Sequence, residues 1–352
     1  MRREQWSIFR NAAKQCPQEK VPVALIIDSP WIPGYLGLTH HDYYFDPETW
    51  FSANLRIMEE FPELIVFPSW WVEFGMAIEP SAIGGRIHFW PDQPPSMPPL
   101  LRRLEDHSGL EPVNPHTDGL MPMALYRYRT LKSRILDAGF TIPVVAARGP
   151  LCTAAFLRGL TEFMMDLVES PADVHHLLEY TTQVTINWLK AQAETIGDTV
   201  EGIFVLDDIV GFLSPAHYLE FAYPYLKRIC DSFPPAWVKV YHNDANVGPF
   251  IEALDGTGFD VLNWGKTLDV AAAYGQLGAG GRLTLMGNVN PLEPGVNGSA
   301  EDVQKAALEV LNKTRGRAHI LSLGGGVSPG MPKANIVALL EAAREFNSNV
   351  RR

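Results

Sequence analysis

Eight short apolar runs rich in Val, Ile and Leu recur along the chain, separated by longer amphipathic stretches, and this alternation is the feature that most restricts the fold. In order they are VPVALIID (Val21 to Asp28), LIVFPSWW (Leu64 to Trp71), IPVVAAR (Ile142 to Arg148), EGIFVLDD (Glu201 to Asp208), WVKVYHND (Trp237 to Asp244), DVLNWG (Asp260 to Gly265), LTLMGNVNP (Leu283 to Pro291) and HILSLGGG (His319 to Gly326). Strands alternating with helices give parallel sheets, and eight such units are the number that closes a (β/α)8, or TIM, barrel.

Helix signals fall between the runs. TWFSANLRIMEEF opens at Thr49 after Asp46 and Pro47, the long segment from Ser170 begins with a capping serine and Pro171, and SAEDVQKAALEVLNKT carries a Ser299 to Asp302 capping box. Between the second and third runs lies a proline-rich insertion, PDQPPSMPPLLRRLEDHSGLEPVNPHTDG, too long for an ordinary connection and placed where it could cover a site. No fixed-period repeat and no linker between two cores is visible, so a single domain over residues 1–352 is expected.

A chain of 352 residues with 46% hydrophobic and 20% charged residues is long and apolar enough to bury a large core. The formal net charge of −11, without a concentrated basic face, argues against nucleic-acid or anionic-membrane partners and leaves small molecules or proteins. No signal-type segment or long apolar span occurs, and a cytoplasmic location is expected. Three widely separated cysteines, Cys16, Cys152 and Cys230, argue against a disulfide framework or a thiolate cluster.

In such a barrel the site is built at the C-terminal ends of the strands, and here those ends are polar. They carry Asp28; Trp70, Trp71 and Glu73; Arg148; Asp207 and Asp208; Tyr241, His242 and Asp244; Asn263 and Trp264; Asn288 and Asn290; and the turn Gly324 to Gly326. His242 and Asp244 are separated by one residue, so an extended backbone points both to one face, where they could ligate one metal. Only one of the adjacent Asp207 and Asp208 can face inward, the other being free to cap a helix. Glu73 is a candidate acid or base if tryptophans desolvate it. Trp70, Trp71, Trp264, Tyr241, Arg148, Asn288 and His41, the last in LGLTHHDYYFDPE, are candidate substrate contacts. The paired His175 and His176 fall on a helix face, packed or solvated, and the triple glycine lacks phosphate-loop spacing.

The order of features resembles the uroporphyrinogen decarboxylase superfamily, which includes corrinoid-linked methyltransferases. The resemblance covers most of the chain and is carried by ARGPLCTAAFLRG, FVLDDIVGFLSPAHYLEFAYPYLKRI, VYHNDANVGPFIEALDGTGFDVLNWG, MGNVNPLEPGVNGSAEDVQKAALEVL and ILSLGGGVSPGMPKANIVALLEAARE. It implies a (β/α)8 barrel with its cleft at the strand C-termini, often as a homodimer. The decarboxylase's own residues are not kept: its arginine-bearing N-terminal segment has no counterpart in DSPWIPGYLGLTHHDYY, and its catalytic aspartate falls nearest Ser69. Its tyrosine falls at Phe156, the serine of F-D-S at Asp208 and the histidine of G-H-G at Gly325.

The zinc methyltransferase branch is similar around the fifth strand, where His242 keeps the first ligand while Asp244 and Gly325 stand in place of two cysteines. The resemblance therefore implies methyl transfer or demethylation of a small substrate, with zinc or another divalent metal at His242 and Asp244 and a corrinoid carried by a separate protein. Asp208 and Glu73 join that pair as candidate acids. Two alternatives stand beside it: a decarboxylase or lyase of a small carboxylic acid held by Arg148, and a barrel that binds a ligand without chemistry.

Overall fold

The computed structural model describes residues 1–350, so the last two residues of the expected 1–352 unit lie outside it. All eight expected strands form, as β1 Ala24–Ile26, β2 Ile65–Phe67, β3 Val144–Arg148, β4 Gly202–Leu206, β5 Val238–Asn243, β6 Val261–Trp264, β7 Thr284–Val289 and β8 His319–Leu323. Every pairing between them is parallel.

β3 to β8 make a six-stranded sheet in chain order, and β1 pairs with β2. Single bridges from Val23 to Leu321 and from Ile26 to Gly326 join β1 to β8. The run of eight strands is thus continuous except between β2 and β3. Met1 lies there, its amino group donating to Ser69 Oγ and to the Thr141 carbonyl.

Alternation of side chains divides the core in two. Ala24, Ile26, Ile65, Phe67, Val144, Ala146, Phe204, Leu206, Val238, Val240, Val261, Met286 and Ile320 fill the barrel together with Trp6 and Phe9 of the helix Arg3–Ala13. Phe67 stacks on Phe9 at 4.9 Å and meets Phe204 edge-on at 5.0 Å. That apolar plug leaves the inward positions above it free to be polar, while the inward Thr284 below it donates to the Ala12 carbonyl. The larger outer cluster, including Val145, Val205, Tyr241, Leu262, Trp264 and Leu321, packs the strands against the helices.

The helix expected from Thr49 starts earlier, at Pro47–Glu60, because Asp46 accepts from the backbone N–H groups of Glu48 and Thr49 and so ends the preceding turn. The Ser299 box forms as expected, with Ser299 and Asp302 bonded reciprocally. Ser170 precedes the helix Pro171–Ile196 without a side-chain cap. The insertion is docked rather than loose: Leu100 and Leu101 donate to the Leu157 carbonyl, and His88 pairs with Ser96.

Trp70 departs from its expected place. Ser69 and Trp70 both adopt positive φ (78° and 53°). The Trp70 ring lies on the outer side with Val66, while Trp71 lies on the inner side with Ile65 and Phe67. Trp70 packs against Phe51, Trp50 and Phe140 at 5.2, 5.8 and 5.9 Å and is fully buried. Trp70 is a packing residue, and Trp70→Ala is expected to lower stability by about 3–5 kcal/mol in urea unfolding. A loss below about 1 kcal/mol would contradict that placement.

Candidate active site

The inward parity of β5 carries Val238, Val240 and His242 in sequence, so His242 is the first polar group above the apolar plug. Its ring stands 6.2 Å from Phe204, edge to face. His242 Nδ1 is 2.7 Å from Asn263 Oδ1. The Asn263 amide nitrogen donates to the carbonyls of Met286 (2.7 Å) and Leu323 (2.9 Å), which fixes its oxygen toward the ring. Nδ1 must therefore carry a proton, and Nε2 is the atom presented to the mouth.

Two carboxylates meet that nitrogen. Asp244 Oδ1 is 3.3 Å and Asp208 Oδ1 3.7 Å from Nε2. Asp208 is held by the Asp244 backbone N–H at 2.8 Å. Burial works against a proton on His242, yet the Asp244 charge and hydrogen bond, then Asp208 and Asn263, raise its pKa to about 9. Burial would raise Asp244, but the His242 charge and hydrogen bond outweigh it and leave the group below its usual range. The Asp244 side chain is 54% exposed, so its half of the pair is open to solvent and to a ligand.

Of the adjacent acids, Asp208 faces the site and Asp207 turns outward. Asp207 is fully buried and accepts from the backbone N–H groups of Leu151 and Cys152 at 3.1 and 2.7 Å, capping the helix Pro150–Arg158 from outside it. Gly149 is required beside it, since a Cβ there would fall 2.2 Å from Asp207 Oδ2. Gly325 plays a similar part for Asp244: at φ +121° it lets Oδ1 approach within 2.6 Å of where a Cβ would stand.

A second acidic pair adjoins the first. Glu73 Oε1 accepts from the Ser29 N–H at 2.5 Å, and Ser29 Oγ in turn accepts from Tyr44 at 2.7 Å. Burial, then the neighbouring Asp28, push Glu73 up to about 8. Burial likewise lifts Asp28 to about 6 against the pull of Arg148 and His242. Arg148 is buried, its backbone N–H donates to Glu79 Oε1, and its Nε has no hydrogen-bond partner among the described residues. The guanidinium lies 6.0 Å over the Trp71 ring.

The structure thus gathers His242, Asp208, Asp244, Glu73, Arg148 and Trp71 at one mouth, and adds Asp28 and Asn263, which the strand-end pattern contained without singling out. Both share parity with Ile26 and Val261, whose inward facing the fold reveals. Four expected contacts lie elsewhere. Tyr241 and Trp264 occupy outward positions; the Tyr241 hydroxyl donates to the Asp207 carbonyl and Trp264 Nε1 to the Leu268 carbonyl. Trp70 is in the outer core, and His41 packs on Phe45 at 5.3 Å while His40 instead turns toward Tyr44. Asn288 stays at the rim, but its amide braces the loop after β6 by donating to the Leu268 carbonyl.

A parallel eight-stranded α/β barrel with titratable groups converging at the strand C-termini defines a class of barrel enzymes. Residues 8–346 match the uroporphyrinogen decarboxylase (URO-D) family, and the chain belongs to it. It is 34% identical to a uroporphyrinogen decarboxylase from Hordeum vulgare over 182 residues, 49% of this chain and 51% of that one. The chain therefore spans about half the length of that relative. A uroporphyrinogen decarboxylase from Coxiella burnetii is 24% identical over 360 residues, covering 96% of this chain and 94% of its own. Among solved structures, a methyltransferase from Methanosarcina mazei superposes with a TM-score of 0.82 at 22% identity, over 97% of this chain and 98% of that one. At that identity the likeness speaks for the fold. Among the described residues no helix is long and apolar enough to cross a membrane.

Glu73 provides a pH test of this arrangement. A carboxyl raised from 4.5 to about 8 by folding binds a proton more tightly in the folded state, so its stabilising contribution is lost as pH rises between those values. Glu73→Gln, which keeps the acceptor for Ser29, is expected to gain stability relative to wild type from about pH 5.5 to about pH 8.5 in urea unfolding. Parallel pH profiles for the two proteins would refute the raised pKa.

Proposed function

We propose that this chain moves a methyl group between a small methylated substrate and a corrinoid borne by a separate protein. The observation that carries the reading is His242 Nε2 facing Asp208 and Asp244 while Nδ1 is tied to Asn263. An imidazole in that setting either donates a proton to a departing heteroatom or ligates a divalent cation.

The charge at the mouth supports the choice of substrate. Asp28, Asp208 and Asp244 stand against Arg148 and His242, with Glu73 uncharged near neutrality, and this balance disfavours a polycarboxylate and favours a neutral or cationic donor. Of the expected aromatic contacts, Trp71 is the one that stays at the mouth, with the Arg148 guanidinium over its ring. The Ser29 to Glu73 bond keeps the neighbouring carboxyl in place as a proton reservoir.

The donor set also fits a metal. His242 Nε2, Asp208 and Asp244 bring one nitrogen and two carboxylate oxygens within 4.8 Å of one another, a harder set than the thiolates of the zinc branch. These three residues would hold the ion, which when bound supplies Lewis-acid polarisation of the substrate heteroatom.

The test supplies reduced cobalamin as acceptor with a panel of methyl ethers and quaternary amines, and reads methylcobalamin by absorbance. Wild type is expected to form it with at least one donor, and His242→Ala to lower the rate by ~10²–10⁴-fold. No methylation with any donor, together with carbon dioxide release from a small acid without corrinoid, would overturn the proposal. Elemental analysis of wild type, His242→Ala and Asp244→Ala settles the metal: bound ion lost in both variants supports it, and equal, negligible metal in all three leaves proton transfer alone.

A second reading rests on a different observation. Arg148 Nε, buried and without a hydrogen-bond partner among the described residues, could seat one carboxylate, and protonated Glu73 could deliver a proton to the carbon left after loss of carbon dioxide. That lyase would lose its substrate affinity in Arg148→Lys, where the methyl-transfer reading predicts a KM changed by less than about threefold.

A further inference from the structure

Away from the mouth, the insertion between β2 and β3 carries a short helical turn, Leu104–Gly109, that packs beside the start of the helix Pro171–Ile196. His107 Nε2 lies 3.4 Å from Asp173 Oδ1, and His176 Nδ1 lies 3.9 Å from the same oxygen. The two imidazole rings are 5.6 Å apart and tilted by 49°. The three donor atoms lie within 4.8 Å of one another.

These separations are long for hydrogen bonds, which cluster at about 2.7–3.2 Å. They suit a shared cation better: metal bonds of about 2.0–2.2 Å in tetrahedral geometry put donors ~3.4 Å apart. Asp173 and His176 are one turn apart on one helical face, and His107 approaches from the insertion, 66 residues earlier than Asp173. Two imidazoles and one carboxylate are a borderline set that suits zinc, cobalt or nickel rather than magnesium. The His176 side chain is 69% exposed, which leaves room for a water as fourth ligand. His175, its neighbour, takes no part, being stacked on Phe221 at 4.8 Å.

We propose that His107, Asp173 and His176 form a divalent transition-metal site that clamps the insertion to the barrel wall. The clamp would act on a segment already anchored at several points. Arg158 donates to the Arg102 carbonyl, and Tyr180 donates to the Glu111 carbonyl. Further toward the N-terminus the same insertion reaches the shell of the mouth, where the His40 N–H donates to the Pro91 carbonyl and Pro95 fills the space beside Gly75. Metal binding at one end of the insertion therefore bears on the order of the segment that borders the site. The inference does not rest on the proposed methyl transfer.

Equilibrium dialysis against cobalt(II), read by bound metal and by the d–d spectrum, tests it with wild type, His107→Ala and His176→Ala. Each variant is expected to bind one cobalt ion fewer per chain than wild type. The donors His242, Asp208 and Asp244 are intact in all three proteins, so whatever the mouth binds cancels in the difference. Zinc is expected to slow protease cleavage within residues 83–120 of wild type and to leave both variants unaffected. Equal stoichiometry in the three proteins, or cleavage indifferent to zinc, would overturn the clamp.

Discussion

Register between neighbouring strands is the constraint on which the mouth depends. Leu206 pairs with His242, His242 with Asn263 and Asn263 with Met286 across four parallel strands. Because side chains alternate, this pairing sends Val238, Val240 and His242 inward and Tyr241 outward, and a slip of one residue would exchange them. Asn263 then lies where its amide reaches carbonyls of β7 and β8 and its oxygen reaches the imidazole. One ring orientation is thus set by four strands.

Above the plug, the balance between desolvation and pairing decides each group's charge. Glu73, 3% exposed, is governed by burial and keeps its proton near neutrality. Asp244, with a half-exposed side chain, is governed by His242 and stays ionised. Carboxyls in two protonation states therefore stand side by side, a protonated acid beside an ion pair, which is how one site supplies both a proton and a negative charge at the same pH. The apolar layer of Phe67 and Phe204 beneath offers no alternative partner, so the charges are directed toward the opening.

Much of this was legible beforehand. The eight apolar runs became eight strands because fully buried parallel strands need continuous Val, Ile and Leu and have few other ways to be written. The H-x-D spacing placed His242 and Asp244 together for the same reason that strand side chains alternate. That alternation also condemns Tyr241 and Trp264 as site residues, since each sits next to an inward neighbour, His242 or Asn263. Asp28 and Asn263 share parity with Ile26 and Val261, so they follow once those two are known to face inward.

Other choices needed the folded molecule. Asp207 and Asp208 are chemically identical neighbours, and only the pairing of β4 with β5 and the nearness of the helix at Pro150 assigns one to a cap and the other to the site. Trp70 and Trp71 fall on opposite sides by alternation, Trp70 with Val66 and Trp71 with Ile65 and Phe67, and only the fold shows which side of β2 is inward. The meeting of His107 with Asp173 and His176 joins segments 66 residues apart, a contact no local pattern encodes. The strands, their polar ends and the face shared by His242 and Asp244 are written in residue order, because burial and alternation act over a few residues. Which acid accompanies them, which aromatic stays at the mouth and what the insertion touches were decided by the tertiary structure, because those depend on strand register and loop path.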